Sequence, residues 1–499
     1  MNAATVHLST QHAIGVIDRR LFGGFLEHLG RAIYGGIYDP GHPLADSRGF
    51  RRDVIDALRR MRLSVIRYPG GNFVSGYDWR DGVGPKADRP VRPDFAWKSL
   101  ETNQFGTDEF VDFCRDIGAE PMLAVNLGNG TAQRAAELVE YCNVPSATPY
   151  AEQRRANGHD QPHGIGLWCL GNEMDGPWQI GHCDAAEYAR RALAASRAMK
   201  RVDPTIQTIA AGSCTDALPT YLEWDRQVLM ACWDHVEYLS AHRYSHNRDG
   251  DTAWFLAEGV DIDRTIEDYA AAIRYVAGVR RSRKQIHICF DEWNVWYRAK
   301  GPMHEDGQWR KAPPLLEEHY NLEDALVCAQ YLASFLRHAD VVRIACIAQI
   351  VNVLAPILTS AAGLLIQPIY WPFVSFSHYA QGVSLRPAIT CPTYDAHARG
   401  QVPVLDAAAA YDASAGTLAL FLVNRSLDQP LRVDARLDGA TVRDIMHAEQ
   451  LAGRPDDTNT WDNPSAVTPQ PAQATVDDPA TIRTIIPPTG FATVVARIA

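Results

Sequence analysis

Two segments of the chain set a carboxylate directly behind an apolar run. One is IGLWCLGNEM, which contains Asn172 and Glu173; the other is FDEWNVW, which carries Glu292 and Trp296. In α/β barrel proteins the reacting groups project from the C-terminal ends of the strands, just past such runs. Two carboxylates at facing strand ends suit a double displacement at a sugar's anomeric carbon: one attacks, while the other, kept protonated, gives its proton to the leaving oxygen. Direct attack needs ~5–5.5 Å between the carboxyl groups and an inverting water needs more, so the fold decides the stereochemistry. The ordinary alternatives are a strand-end salt bridge for Glu173 and a helix cap for Glu292. The apolar run leading into each, with Asn172 ahead of Glu173, favours chemistry.

Other strand-like runs also end in polar groups. Glu27 and His28 close the first, Arg67 the second with Asn72 in the loop beyond, Asn126 the third, His242, Arg243 and Tyr244 the sixth, and Gln349 the eighth. His242 and His246 have a spacing that invites a metal, but neither an HExxH pattern nor a cysteine partner accompanies them. No metal and no cofactor are expected.

These ends need a scaffold. Candidate strands at 21–27, 63–68, 121–127, 165–171, 206–211, 235–242, 285–291 and 341–349 alternate with helical patterns such as 50–61, 107–117, 185–202, 266–280 and 322–339. That alternation predicts a (β/α)8 TIM barrel over 15–384. An open doubly wound sheet lacks its usual glycine-rich fingerprint or Walker-type lysine loop here. Beyond residue 384 the periodicity shortens to alternating runs at 417–423, 431–435 and 481–486, which predicts a β-sandwich over 385–499. Residues 5–14 are also strand-like, so segment 1–14 is expected to complete the sandwich. The Pro-, Asp- and Thr-rich stretch 453–480 reads as a long surface loop, and 298–320, long and polar, as a lid bearing on the choice of leaving group.

The composition excludes several classes. The 499 residues are 46 % hydrophobic and 21 % charged, and 48 Lys plus Arg against 59 Asp plus Glu give a net charge of -11. No general field for nucleic acid or an anionic membrane surface exists. Ten cysteines never form a CxxC pair and read as buried free thiols, which suit a reducing cytosol. The N-terminus lacks a secretory pattern, and the longest apolar run, 353–366, contains Pro356 and is too short to span a bilayer. A soluble, cytoplasmic protein is expected.

Taken together, GGFLEHLGRAIYGGIYDP, RYPGGNFVSGYDWRDGVGP, GNEMDGPWQIGH, AHRY, DEWNVW and TNTWDNPSAVTP resemble the α-L-arabinofuranosidases of glycoside hydrolase family 51 over nearly the whole chain. The resemblance implies Glu173 as acid/base, Glu292 as nucleophile, and Asn172 on the sugar's 2-hydroxyl. It also implies Glu27, Asn72, Tyr244 and Gln349 as hydroxyl binders, roles that their chemistry suits. His242 and Tyr244 are expected to orient Glu292, Arg67 to keep it ionised, and Trp296 to wall the pocket; Trp97 either contacts the leaving group or simply packs. The implied activity is an exo-acting, retaining α-L-arabinofuranosidase on arabinoxylan- and arabinan-derived oligosaccharides, in a homo-oligomer, commonly a hexamer. The nearest alternative is an endo-β-glucanase or β-xylosidase of the same barrel clan. A non-catalytic sugar-binding protein is disfavoured by the intact glutamates.

Overall fold

The computed structural model describes residues 1–300 and 308–499. The expected lid at 298–320 falls in part on residues 301–307, which lie outside the described residues. Eight strands close into a parallel barrel: Gly23–Phe25, Val65–Tyr68, Glu120–Val125, Leu167–Leu170, Gln207–Ala210, Tyr238–Ser245, His287–Val295 and Val342–Ala348. Each overlaps one of the expected segments, though Tyr238–Ser245 and His287–Val295 run three and four residues past the expected ends and Glu120–Val125 starts one residue early, and each pairs in parallel with its neighbours in the chain, strand eight closing on strand one.

Alternation along the strands divides inside from outside. Val65, Met122, Leu167, Cys169, Ile209, Cys289, Ile344 and Cys346 fill the barrel's interior as one apolar cluster. On strand seven, Phe290 and Trp293 face outward and pack edge-on or tilted against Tyr331 and Phe335 of the helix Leu322–Arg337. Between them the register slips: Cys289 pairs with Ser240 and Glu292 with His242, so strand seven carries one residue more than strand six. The same slip shows against strand eight, between Phe290 and Trp293. A bulge of this kind re-aims side chains, and here it turns both Asp291 and Glu292 inward.

Apart from three two-stranded sheets, the remaining strands form two facing sheets. The first, five-stranded, runs Ala388–Thr390, Asn2–Ser9, Leu431–Asp438, Thr481–Ile486, Ala474–Asp478. The second, seven-stranded, includes Ala13–Val16 beside Val383–Leu385, a pair that straddles the expected boundaries at 14/15 and 384/385. Asn2–Ser9 pairs in parallel with Leu431–Asp438 and antiparallel with Ala388–Thr390, so the N-terminal segment completes the sandwich.

The stretch 453–480 is largely at the surface, as expected, but it is not all loop. It contains the strands Gln470–Pro471 and Ala474–Asp478, and Asn459 and Val467 are buried. The Asn459 amide donates to Ile366 O at 2.9 Å, and Trp371 Nε1 donates to Val467 O at 3.1 Å. Leu322 N and Glu323 N, at the head of the helix Leu322–Arg337, donate to Asp457 O and Pro455 O at 2.9 and 3.1 Å. Polar residues in this loop therefore satisfy backbone groups of the barrel instead of water.

Candidate active site

Arg67, at the end of strand two, is the tie between strands four and seven. Its Nη1 donates to Glu292 Oε1 at 2.7 Å, its Nη2 donates to Asn172 Oδ1 at 2.6 Å, and its Nε lies 3.0 Å from Asp291 Oδ2. The side chain is 1 % exposed. A guanidinium so buried is tolerable only because two carboxylates face it.

Glu292 receives a second bond, from the Tyr244 hydroxyl to Oε2 at 2.9 Å. Burial pushes its carboxyl up from the ordinary range, the charges of His242 and Arg67 pull it back, and Glu173 pushes it further up. Glu173 is reached differently. The chain leaves strand four through Gly171 at φ +82° and Glu173 itself adopts φ +43°, a left-handed conformation that costs energy in a residue with a Cβ. Its Oε2 accepts from Trp178 Nε1 at 2.7 Å and its Oε1 lies 2.9 Å from His242 Nδ1. One oxygen of Glu173, one of Glu292 and a His242 ring nitrogen all lie within 4.8 Å of one another.

His242 was expected to orient Glu292. It sits instead on Glu173, with Glu292 Oε2 at 3.7 Å, because its other nitrogen is drawn to Asp291 Oδ1 at 3.4 Å and Ser240 Oγ at 3.2 Å. Ser240 in turn donates to Asp291 at 2.5 Å. Burial alone would lower the imidazole, yet the charge of Glu292 and the bonds to Asp291 and Glu173 push it up to about 10. A ring so raised carries its second proton and can donate from both nitrogens. Among the described residues Glu173, His242 and Glu292 form the cluster with metal-ligand spacing, and His246 is not in it.

Glu27 lies buried across the site. Its Oε1 accepts from Phe73 N at 2.8 Å and from Trp97 Nε1 at 2.9 Å, and its own backbone N–H donates to Gln349 Oε1 at 2.9 Å. A Cβ at Gly70 or at Gly71 would stand 2.7 Å from Glu27 side-chain atoms, so the paired glycines of RYPGGN make room for this carboxyl. Burial pushes Glu27 up to about 8, against the bond from Phe73 and with help from the charge of Glu292.

A cavity of about 790 Å³ opens over these groups, and Glu27, Asn72, Glu173, Tyr244, Glu292, Trp296 and Gln349 are on its wall together with Trp97 and Trp178. Arg67, Asn172 and His242 are buried and bonded to residues of that wall or to one another. Two other strand-end residues are not brought in. His28 bonds Glu101 and Tyr68, and Asn126 caps its own loop at Gly128 and Gly130. Asp291, Ser240 and Trp178 escaped the sequence reading. A strict alternation points Asp291 away from the side that Glu292 occupies, and only the bulge reverses it. Trp178 lies on an irregular segment after Glu173 with no periodic signal.

Two family models match the chain, described as Alpha-L-arabinofuranosidase 1 domain over residues 57–269 and Alpha-L-arabinofuranosidase C-terminal domain over residues 291–489. An intracellular exo-alpha-(1->5)-L-arabinofuranosidase of Bacillus subtilis is 46 % identical over 430 residues, covering 86 % of each chain. The chain belongs to glycoside hydrolase family 51. An exo-alpha-(1->6)-L-arabinofuranosidase of Bifidobacterium longum is 41 % identical over 96 % of this chain and 95 % of its own. The solved structure of a family 51 alpha-L-arabinofuranosidase from the same organism superposes with a TM-score of 0.94, at 37 % identity over 99 % of both chains. As a family 51 glycoside hydrolase, the chain carries two glutamates with different surroundings. One is clamped at both oxygens by Arg67 and Tyr244; the other is held by His242 and Trp178 at the cavity's wall. Such a pair can divide attack and proton transfer between its members.

Proposed function

We propose that this chain is an exo-acting α-L-arabinofuranosidase that removes terminal non-reducing α-L-arabinofuranosyl residues from arabinoxylan- and arabinan-derived oligosaccharides with retention of configuration. The observation that carries the mechanism is the approach of Glu173 and Glu292 to within 4.8 Å at their oxygens. That approach supports the ~5–5.5 Å separation of a retaining pair over the ~6.5–9.5 Å that lodges an inverting water.

Glu292 attacks the anomeric carbon, and the electron pair of the glycosidic bond passes to the leaving oxygen, which takes the proton from Glu173. The sugar is left as an ester on Glu292. Glu173 is left as the carboxylate. It then takes a proton from water, whose oxygen displaces the ester and restores Glu292. Arg67 and Tyr244 fix the two oxygens of Glu292 before the reaction, which limits reorganisation at the moment of attack. Asn172, whose carbonyl is turned to Arg67 and whose amide gives one hydrogen to Gln179 Oε1 at 3.4 Å, keeps the other amide hydrogen for the 2-hydroxyl, and Glu27, Asn72, Tyr244 and Gln349 offer partners to the others. Trp296 screens the site from water.

The relatives' names support the exo assignment. They differ in linkage, (1->5) in one and (1->6) in the other, so what they share is the terminal arabinofuranosyl unit. The name of the Bacillus subtilis relative also supports a cytoplasmic location, where short imported oligosaccharides are the substrate. Among the described residues no helix is long and apolar enough to cross a membrane. Family resemblance alone supports a homo-oligomer, commonly a hexamer.

The test is product analysis. Free arabinose is the first product from linear arabino-oligosaccharides and from arabinoxylo-oligosaccharides, with the α-anomer appearing first by NMR and backbone length unchanged. Xylo- or cello-oligosaccharides released without arabinose would point to the endo-glucanase or xylosidase alternative. Prolonged dialysis against EDTA leaves the rate unchanged; a loss restored by one divalent ion would overturn the metal-independent scheme.

A further inference from the structure

Glu27 is on the cavity wall, and His28, the next residue in the chain, is buried and off it. Among the described residues, the hydrogen bonds that reach the Glu27 carboxyl both end on Oε1, one from Phe73 N and one from Trp97 Nε1. Oε2 is left to a ligand for as long as those two donors stay in place.

Both donors run back to His28. Its ring stacks on Phe73, with centres 4.6 Å apart and 23° between the planes. Its Nδ1 lies 2.7 Å from Glu101 Oε2. Glu101 ends the hairpin of Arg92–Asp94 and Ser99–Glu101, whose turn carries Trp97. Within that turn Asp94 accepts from Ala96 N, Trp97 N and Ser99 Oγ at 2.9, 3.2 and 3.3 Å, so the indole follows the base of its hairpin. The other ring nitrogen of His28, Nε2, lies 2.7 Å from the Tyr68 hydroxyl, which ties the ring to strand two.

The link between His28 and Glu101 is dry: their side chains are 1 % and 6 % exposed. Burial alone would raise the Glu101 carboxyl, yet His28, by charge and by hydrogen bond, holds it below the ordinary range together with donors from Tyr34 and Asn103. Removing one partner of a buried pair leaves an uncompensated charge. Without His28 the base of the hairpin would therefore move, and Trp97 with it.

We infer that His28 is a positioning residue for the terminal sugar: through Phe73 and through Glu101 it holds the two donors that fix Glu27 Oε1 and keep Oε2 for a sugar hydroxyl. The inference rests on the glycosidase reading above. His28 acts through Glu27, so its loss is felt in binding of the arabinofuranosyl unit whatever the leaving group. The competing role is a buried pair that stabilises the fold and nothing else.

The experiment uses the full chain, with methyl α-L-arabinofuranoside as substrate and free arabinose as inhibitor. His28→Phe keeps a ring on Phe73 and loses the link to Glu101. Its KM and arabinose inhibition constant rise roughly 3- to 10-fold, while kcat stays within about three-fold of wild type. Glu101→Gln, which keeps a hydrogen-bond acceptor, gives a smaller rise in the same two constants. A double-mutant cycle supplies the decisive readout. Trp97→Phe removes the indole donor, and adding His28→Phe to it changes either constant by less than about two-fold, because the group through which His28 acts is already gone. If His28→Phe does not fold, Glu101→Gln carries the same cycle. Additive losses in the cycle, or a lowered melting temperature with both constants unchanged, overturn the positioning role. Failure of the wild-type enzyme to hydrolyse any arabinofuranoside would instead remove the functional reading on which it rests.

Discussion

The ends of strands four and seven carry the same side chain and prepare it in opposite ways. Glu292 is part of a paired strand, opposite His242 in register, with both oxygens held by donors from strands two and six. Glu173 lies past the end of its strand, on a left-handed residue, with one oxygen on Trp178 and the other on His242. A nucleophile must have one fixed line of attack, which a strand and a two-point clamp supply. An acid/base must meet a leaving group and later a water, which a loop position at the wall allows. Environment, not residue type, assigns the roles.

The largest expected effect breaks the strand-seven side. Glu292→Ala loses about 10⁴-fold or more in kcat, because among the described residues no other carboxylate is held by Arg67 and Tyr244 to form the proposed ester. Added azide restores part of the turnover on an aryl arabinofuranoside and yields the inverted sugar azide, identified by its anomeric NMR coupling. Retention of more than a few per cent of the wild-type rate would sink the assignment.

Breaking the strand-four side gives a selective loss. Glu173→Ala falls ~10²–10⁴-fold on oligosaccharides, whose leaving sugars need a proton, and far less in the first step on substrates with a good phenolate leaving group. Equal losses on both classes would count against the acid role. The clamps sharpen the contrast further. Tyr244→Phe should cost about 10-fold on both substrate classes, since it serves Glu292, while Trp178→Phe should cost a few-fold, only where protonation matters. A plot of log kcat against leaving-group pKa separates them by slope.

The smallest effect is on stability. Glu27 is raised from 4.5 to about 8 and His242 from 6.5 to about 10. A group raised in the folded state stabilises fully below its unfolded value and loses that contribution as pH climbs through the folded one. The melting temperature should therefore fall from pH 5 towards pH 10. Glu27→Gln, which mimics the neutral acid, should flatten the profile from pH 4.5 to 6.5 and leave the His242 part from 6.5 to about 10. An unchanged profile in the variant would show that Glu27 is not held neutral.

Much of this was legible in the sequence because strand ends advertise themselves. Eight apolar runs, seven of them ending in polar groups, place the barrel and bring Glu27, Glu173, Tyr244, Glu292 and Gln349 to one cavity. What escaped depended on departures from regular periodicity. Asp291 and Glu292 share the inward face only through the bulge, and the shift of His242 from Glu292 to Glu173 follows from Asp291. Asn459 reads as a surface residue until its amide is seen bridging Ile366 O and Val467 O. No pattern of apolar residues records such a bond, which is specified by shape and direction.

The strand Asn2–Ser9 is an interior strand of its sheet, between Ala388–Thr390 and Leu431–Asp438. During synthesis at ~5–20 residues per second its neighbours leave the ribosome roughly 20–80 s after it does. For that time it is an unpaired β segment tethered to a barrel already being made, and the sheet closes only when the distant end of the chain arrives. Cutting the gene between barrel and sandwich would leave one product with an orphan strand and the other with a slot in the middle of a sheet.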